Sequence, residues 1–132
     1  MTRYVVDAPT LLRLVTGGRP VHPAHHLVAP GAIRSQALEL LLEDVRAGRL
    51  REAEALERHE RVTAVRIRLL GDPVSRRTAW RLARERDLGI AQAEHLALAM
   101  LQADALVTED AGLAAQAAGL VPLARVEDLA AG

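Results

Sequence analysis

Short β-branched runs alternate with stretches of helical periodicity along the whole chain, and this alternation limits the fold more than any other feature of the sequence. The run Arg3–Val6 reads as a buried strand ending at Asp7, followed by a helix entered through Pro9 and carried by Leu11, Leu12, Leu14 and Val15. A loop broken by Gly17, Gly18, Pro20 and Pro23 leads to a second strand over His26–Ala29, closed by Pro30-Gly31. Ile33, Ala37, Leu40, Leu41 and Val45 form one helical stripe, stopped by Gly48, and a further helix runs from Leu50 to about Glu60. Val65, Ile67 and Leu69 alternate with Arg66 and Arg68, the pattern of an edge strand with one wet face, ending at Gly71-Asp72-Pro73. Helices are expected over Ser75–Asp87, with Gly89 as C-cap, and from about Ala91 to Leu101. A strand over Ala105–Thr108, a short helix over Ala111–Ala118 and a last strand over Leu120–Leu123 complete the chain. Parallel strands need crossovers of a dozen or more residues, usually helical. The order therefore predicts a single α/β domain over residues 1–132, with a mostly parallel sheet covered by helices on both faces.

The composition narrows what such a domain can do. Tyr4 and Trp80 are the only aromatics, which leaves the core to Leu, Val, Ile and Ala and argues against an aromatic platform for single-stranded RNA. Trp80 lies in mid-helix among arginines and is expected in the core or an interface. The absence of cysteine excludes a disulfide scaffold, a thiolate zinc site and a cysteine nucleophile, and fits a reducing cytosol. No apolar run approaches the roughly 18 residues of a spanning helix, and Asp7 falls where a signal peptide keeps its apolar stretch, so a cytoplasmic protein is expected. The 17 basic residues, all arginine, balance 17 acids. Their distribution is uneven. Arg76, Arg77, Arg81, Arg84 and Arg86 outweigh Glu85 and Asp87, whereas residues 39–60 are rich in acids. Arg76, Arg77 and Arg81 are candidate RNA phosphate contacts, with a solvated helix face as the other reading.

In open α/β sheets ligands bind beyond the carboxyl ends of the strands, where the strand order reverses. Asp7 and Asp110 both fall at such strand ends. Each alone reads equally well as a helix N-cap, but two at corresponding positions suggest a shared cation site. His22, His25 and His26 match no zinc spacing and lie in a proline-broken loop.

Tyr4-Val5-Val6-Asp7-Ala8, then Leu27-Val28-Ala29-Pro30 before a helix, then Ala91-Gln92-Ala93-Glu94-His95-Leu96-Ala97-Leu98-Ala99, and then Ala105-Leu106-Val107-Thr108-Glu109-Asp110 resemble PIN-domain proteins, in particular VapC-type toxins. The order and spacing cover nearly the entire chain. The resemblance implies a PIN-like, Rossmann-like three-layer α/β/α fold with a five-stranded sheet. It also implies an acidic cluster that binds Mg²⁺ or Mn²⁺ and cleaves RNA, a small antitoxin as partner, and a homodimer. Of the four family acids, Asp7 and Asp110 match, whereas Gln36 and Gln92 stand where the family has Glu and Asp. Magnesium prefers near-octahedral hard oxygen ligands, and carboxylates supply both the oxygen and the compensating charge; a glutamine supplies the oxygen alone. Two such exchanges weaken metal binding, and with it the making of hydroxide and the shielding of phosphate charge.

Nearby groups that can compensate are Glu39, one turn after Gln36; Glu109, beside Asp110; and His95, on the face of Gln92. Solvent exposure for the two acids and packing for the histidine are the competing readings. Glu94 falls on roughly the opposite side of its helix from Gln92. Thr108 is expected to orient Asp110 or bond a phosphate. The leading expectation is a metal-dependent endoribonuclease, weakened at Gln36 and Gln92. The alternative is a catalytically silent PIN fold that binds an antitoxin, RNA or its own copy. A phosphoacceptor receiver domain, which wants an acidic pair after the first strand and a lysine near the end, does not fit a chain without lysine.

Overall fold

The structure, a computed structural model, describes residues 1–132. Five strands, β1 (Thr2–Val6), β2 (His25–Pro30), β3 (Ile67–Leu70), β4 (Ala105–Val107) and β5 (Leu123–Ala124), form one sheet in the order β3-β2-β1-β4-β5. Every pairing is parallel. The chain lays down β1, β2 and β3 outward to one side, then returns across the sheet to place β4 and β5 on the other. The order thus reverses between β1 and β4, and the crevice above their carboxyl ends is the switch point of the fold.

Six helices make the connections: α1 (Ala8–Gly17), α2 (Ile33–Arg46), α3 (Glu52–Ala64), α4 (Pro73–Arg86), α5 (Ile90–Gln102) and α6 (Ala111–Ala117). Side chains alternate between the faces of a strand, and β1 divides accordingly. Tyr4 and Val6 join Leu11, Ile33, Val62 and Leu129 in a core beneath α1, α2 and α3. Val5 turns the other way, to Val28, Leu106, Leu82 and Leu96, beneath α4, α5 and α6. Both cores are almost free of aromatics, and Ala93, Ala97 and Ala99 bring α5 close to the sheet. The three-layer α/β/α arrangement follows from a central strand that is apolar on both faces.

Three local expectations are corrected. The residue ending α4 is Asp87, in the left-handed region at φ 53°, whereas Gly89 is extended and opens α5. Asp is one of the few side chains that tolerates that region. The last strand starts at Leu123, not Leu120. Leu120 and Val121 bond back to Ala117, and Pro122 has no N–H for a ladder, although its carbonyl accepts from Leu106 at 2.9 Å. Trp80 faces outward with 64% of its surface exposed and belongs to neither core. A 3₁₀ helix over Val126–Ala130, not foreseen from periodicity, carries the fully buried Leu129. No helix is long and apolar enough to cross a membrane.

Leu106 is completely buried in β4. Leu106→Ala is expected to cost about 2–5 kcal/mol, measured as a lowered urea midpoint at unchanged slope.

Candidate functional site

The crevice at the switch point is built on four side chains from three elements. Asp7 follows β1 and caps α1: its Oδ1 accepts the Thr10 N–H at 3.0 Å, as the spacing Asp-x-x-Thr favours. Thr108 follows β4 and donates its hydroxyl to Asp7 Oδ2. The same Thr108 Oγ1 accepts the backbone N–H of Asp110 at 3.0 Å. Asp110 in turn caps α6, its Oδ1 accepting from Gly112 at 2.8 Å and Leu113 at 3.2 Å. Gln92, in the first turn of α5, donates from Nε2 to Asp110 Oδ2 at 3.2 Å. Gln92, Asp110, Thr108 and Asp7 are therefore one hydrogen-bonded chain.

Asp7 is only 5% exposed, whereas Asp110 is open to solvent. Both acids are thus at the same time helix caps and members of the crevice. Thr10, which sequence reasoning passed over, underlies the arrangement. It is completely buried, and its hydroxyl bonds the Val107 carbonyl at 3.2 Å, tying α1 to β4.

The other candidates lie elsewhere or are engaged. Gln36, in the first turn of α2 beyond the end of β2, is half-buried and takes no part in the hydrogen-bonded chain. Glu39 is exposed. Glu109, expected as a substitute acid, instead forms an ion pair with Arg13 at 2.8 Å, because the turn before α6 sends neighbouring side chains in different directions. His95 is 4% exposed and bonds its own helix, Nδ1 to the Ala91 carbonyl at 2.7 Å, with Nε2 buried and unpartnered. It packs in the core beneath α5 rather than reaching Gln92's partner. Arg76, Arg77 and Arg81 are exposed on α4, which starts beyond β3, two strands from β1 and so about 10 Å away across the sheet. His22 and His25 bond backbone groups, and no group of three or more His, Asp or Glu is placed to hold a metal ion.

The four residues can be tested against a magnesium-type cation. All four carboxylate oxygens of Asp7 and Asp110 already accept hydrogen bonds from the protein. The Gln92 amide turns its NH₂ to Asp110, since its carbonyl there would oppose a carboxylate. Two carboxylates at 4 Å repel by about 4 kcal/mol at an effective dielectric of about 20, falling toward 1 in water. An acid at position 92 would therefore call for a cation, whereas Gln92 turns the same contact into an attraction. The residues present do not fit a tightly bound divalent ion.

A second polar cluster escaped the sequence reading although Asp72-Pro73 signals a helix start. Asp72 caps α4 and accepts from Ser75 at 2.8 Å and from Gln102 Nε2 at 2.8 Å. The Ser75 backbone N–H, helped by its hydroxyl and by Gln102, holds the Asp72 carboxyl below its usual range, against a smaller opposing effect of desolvation.

A depressed folded-state value means that this group stabilises the fold above the unfolded carboxylate range and loses that contribution as pH falls below about 4. Acid titration of stability is expected to be shallower in Asp72→Asn than in the wild type. Thr108→Val, which leaves Asp7 Oδ2 and the Asp110 N–H without their partner, is expected to cost about 1–3 kcal/mol, measured by urea unfolding.

No family model matches the sequence, and no curated protein matches it. Among solved structures, the crystal structure of PAE2754 from Pyrobaculum aerophilum is similar, with a TM-score of 0.74 and 26% identity over 98% of this chain and 93% of that one. The likeness extends over nearly the full length of both chains, and what it establishes is the shared α/β fold.

Proposed function

We propose that this chain is a PIN-like protein of the VapC type that acts by binding an antitoxin-like small protein, with its metal-dependent nuclease centre silenced. The observation that carries the reading is the hydrogen bond from Gln92 to Asp110. It joins two positions at which the resemblance calls for a pair of acids, and it removes the repulsion that a cation would relieve. Gln36 withdraws a second charge. With two carboxylates in place of the family's four acids, and each already accepting protein hydrogen bonds on both oxygens, the crevice offers a divalent ion less charge, and hydroxide formation and shielding of phosphate charge would weaken with it. Partner binding has support in the outer helices: Leu38 and Leu42, one turn apart on α2, and Leu56 on α3 are exposed.

A second reading, a weakened Mg²⁺- or Mn²⁺-dependent endoribonuclease, draws on the convergence of Asp7, Thr108, Asp110 and Gln92 at the switch point. Calorimetric titration with Mn²⁺ and Mg²⁺ separates the two. The silent reading expects no saturable binding by the wild type up to low millimolar metal, and saturable Mn²⁺ binding after Gln36→Glu with Gln92→Asp. Saturable wild-type binding that Asp7→Asn abolishes, together with metal-dependent RNA cleavage lost in the same variant, would overturn it in favour of the nuclease.

A further inference from the structure

The two outer strands of the sheet, β3 and β5, each leave one edge unpaired, and they differ in what that edge offers. β5 is two residues long and follows Pro122, so another strand finds almost nothing there to pair with. β3 runs for four residues, Ile67–Leu70, and is bonded on one side only, to β2. In a parallel ladder a strand bonds its neighbour through alternate residues, so about half of the N–H and C=O groups of β3 point away from β2. No loop takes them up, and the side-chain bond nearest to them in sequence, from Arg34, ends on the Val65 carbonyl.

The two faces of this edge are chemically opposite. Arg68 pairs with Val28, and the pairing of Leu27 with Ile67 sets Arg66 level with His26, which itself pairs with Arg3. Basic side chains thus stand side by side on three adjacent strands about 4.8 Å apart, on the face that carries Val5 and Val28. Like charges directly opposite each other destabilise a sheet. No acid pairs with them: Arg3, Arg66 and Arg68, together with Arg19 on the loop after α1, enter no ion pair and are exposed. On the other face Ile67 packs against the core beneath α1, whereas Leu69, paired with Ala29, is left 44% exposed. Arginines on an edge strand repel a second copy of the same edge. They attract an acidic strand, and the exposed Leu69 has no part in the repulsion.

We propose that the free edge of β3 binds, as an added strand, an extended segment of a partner protein in which acidic and apolar residues alternate. Successive side chains of a strand point to opposite faces, so one such segment meets both faces at once. Its acids lie beside Arg66 and Arg68, its apolar side chains lie beside Ile67 and Leu69, and its backbone closes on the outward groups of β3. The main-chain bonds supply affinity and the alternation supplies specificity. A nucleic acid would engage the arginines alone, and it would find no ring on which to stack, since Tyr4 is buried and Trp80 stands on α4. The edge is built of other residues than the exposed leucines of α2 and α3. It requires neither a contact at those leucines nor a metal at the crevice.

The test is calorimetry of the full chain with blocked octapeptides, paired with amide hydrogen exchange. A (Glu-Val)₄ peptide is expected to bind saturably with one-to-one stoichiometry and to slow exchange at Ile67–Leu70. A Glu₄Val₄ peptide has the same composition without the alternation, and (Glu-Pro)₄ has the same acids without half of the N–H groups; both are expected to bind at least about tenfold more weakly. Arg66→Glu with Arg68→Glu should weaken (Glu-Val)₄ by about tenfold or more and admit (Lys-Val)₄, whereas Arg77→Glu with Arg81→Glu on α4 should leave (Glu-Val)₄ within about twofold. Absence of saturable binding would overturn the proposal, as would binding that leaves exchange at Ile67–Leu70 unchanged. Equal binding of Glu₄Val₄, or equal losses in the two paired variants, would overturn it in favour of diffuse charge attraction. Tighter binding of an RNA decamer through Arg66 and Arg68 would overturn it in favour of an RNA surface. Self-association that itself protects Ile67–Leu70 would overturn it in favour of a second copy of the chain.

Discussion

β1 is hydrogen-bonded on both edges and covered on both faces, and the residue that ends it is a nearly buried carboxylate. Such a charge persists only where donors meet it, and Asp7 obtains them from the first turn of α1 and from the hydroxyl of Thr108. That pair of bonds ties the start of α1 to the end of β4 across the reversal of strand order. Thr10 repeats the tie from below, its hydroxyl on the Val107 carbonyl. The crevice is therefore a consequence of closing the sheet at its centre, and any chemistry there is performed by groups that also hold the fold.

This double duty separates the two acids of the crevice from its amides. Asp7 and Asp110 are retained as caps whatever the metal does, because each satisfies helix N–H groups that would otherwise lack partners. Gln92 and Gln36 carry no such duty, since each stands in the first turn of a helix and caps none. At position 92 the amide makes a hydrogen bond to Asp110 where a carboxylate would repel it.

The two ends of the sheet now differ in electrostatic character. At the carboxyl end, two acids accept hydrogen bonds from donors of the protein on both oxygens. At the amino end, four arginines have no partner acid.

Much of the architecture was legible in the residues themselves. The alternation of strand and helix periods, the apolar run of β1 and the acids at two strand ends follow from local spacing, and they specified the parallel sheet and the place of Asp7 and Asp110, whereas Gln92 and Thr108 were singled out through the resemblance to PIN-domain proteins. The shift of β5 and the cap at Asp87 were not legible, because each turns on a difference of one or two hydrogen bonds in a local turn. The ion pair of Glu109 with Arg13, the burial of His95 and the absence of Gln36 from the hydrogen-bonded chain were decided only by tertiary packing. The meeting of Arg3, His26 and Arg66 belongs to the same class: they are far apart along the chain, and parallel register alone makes them neighbours.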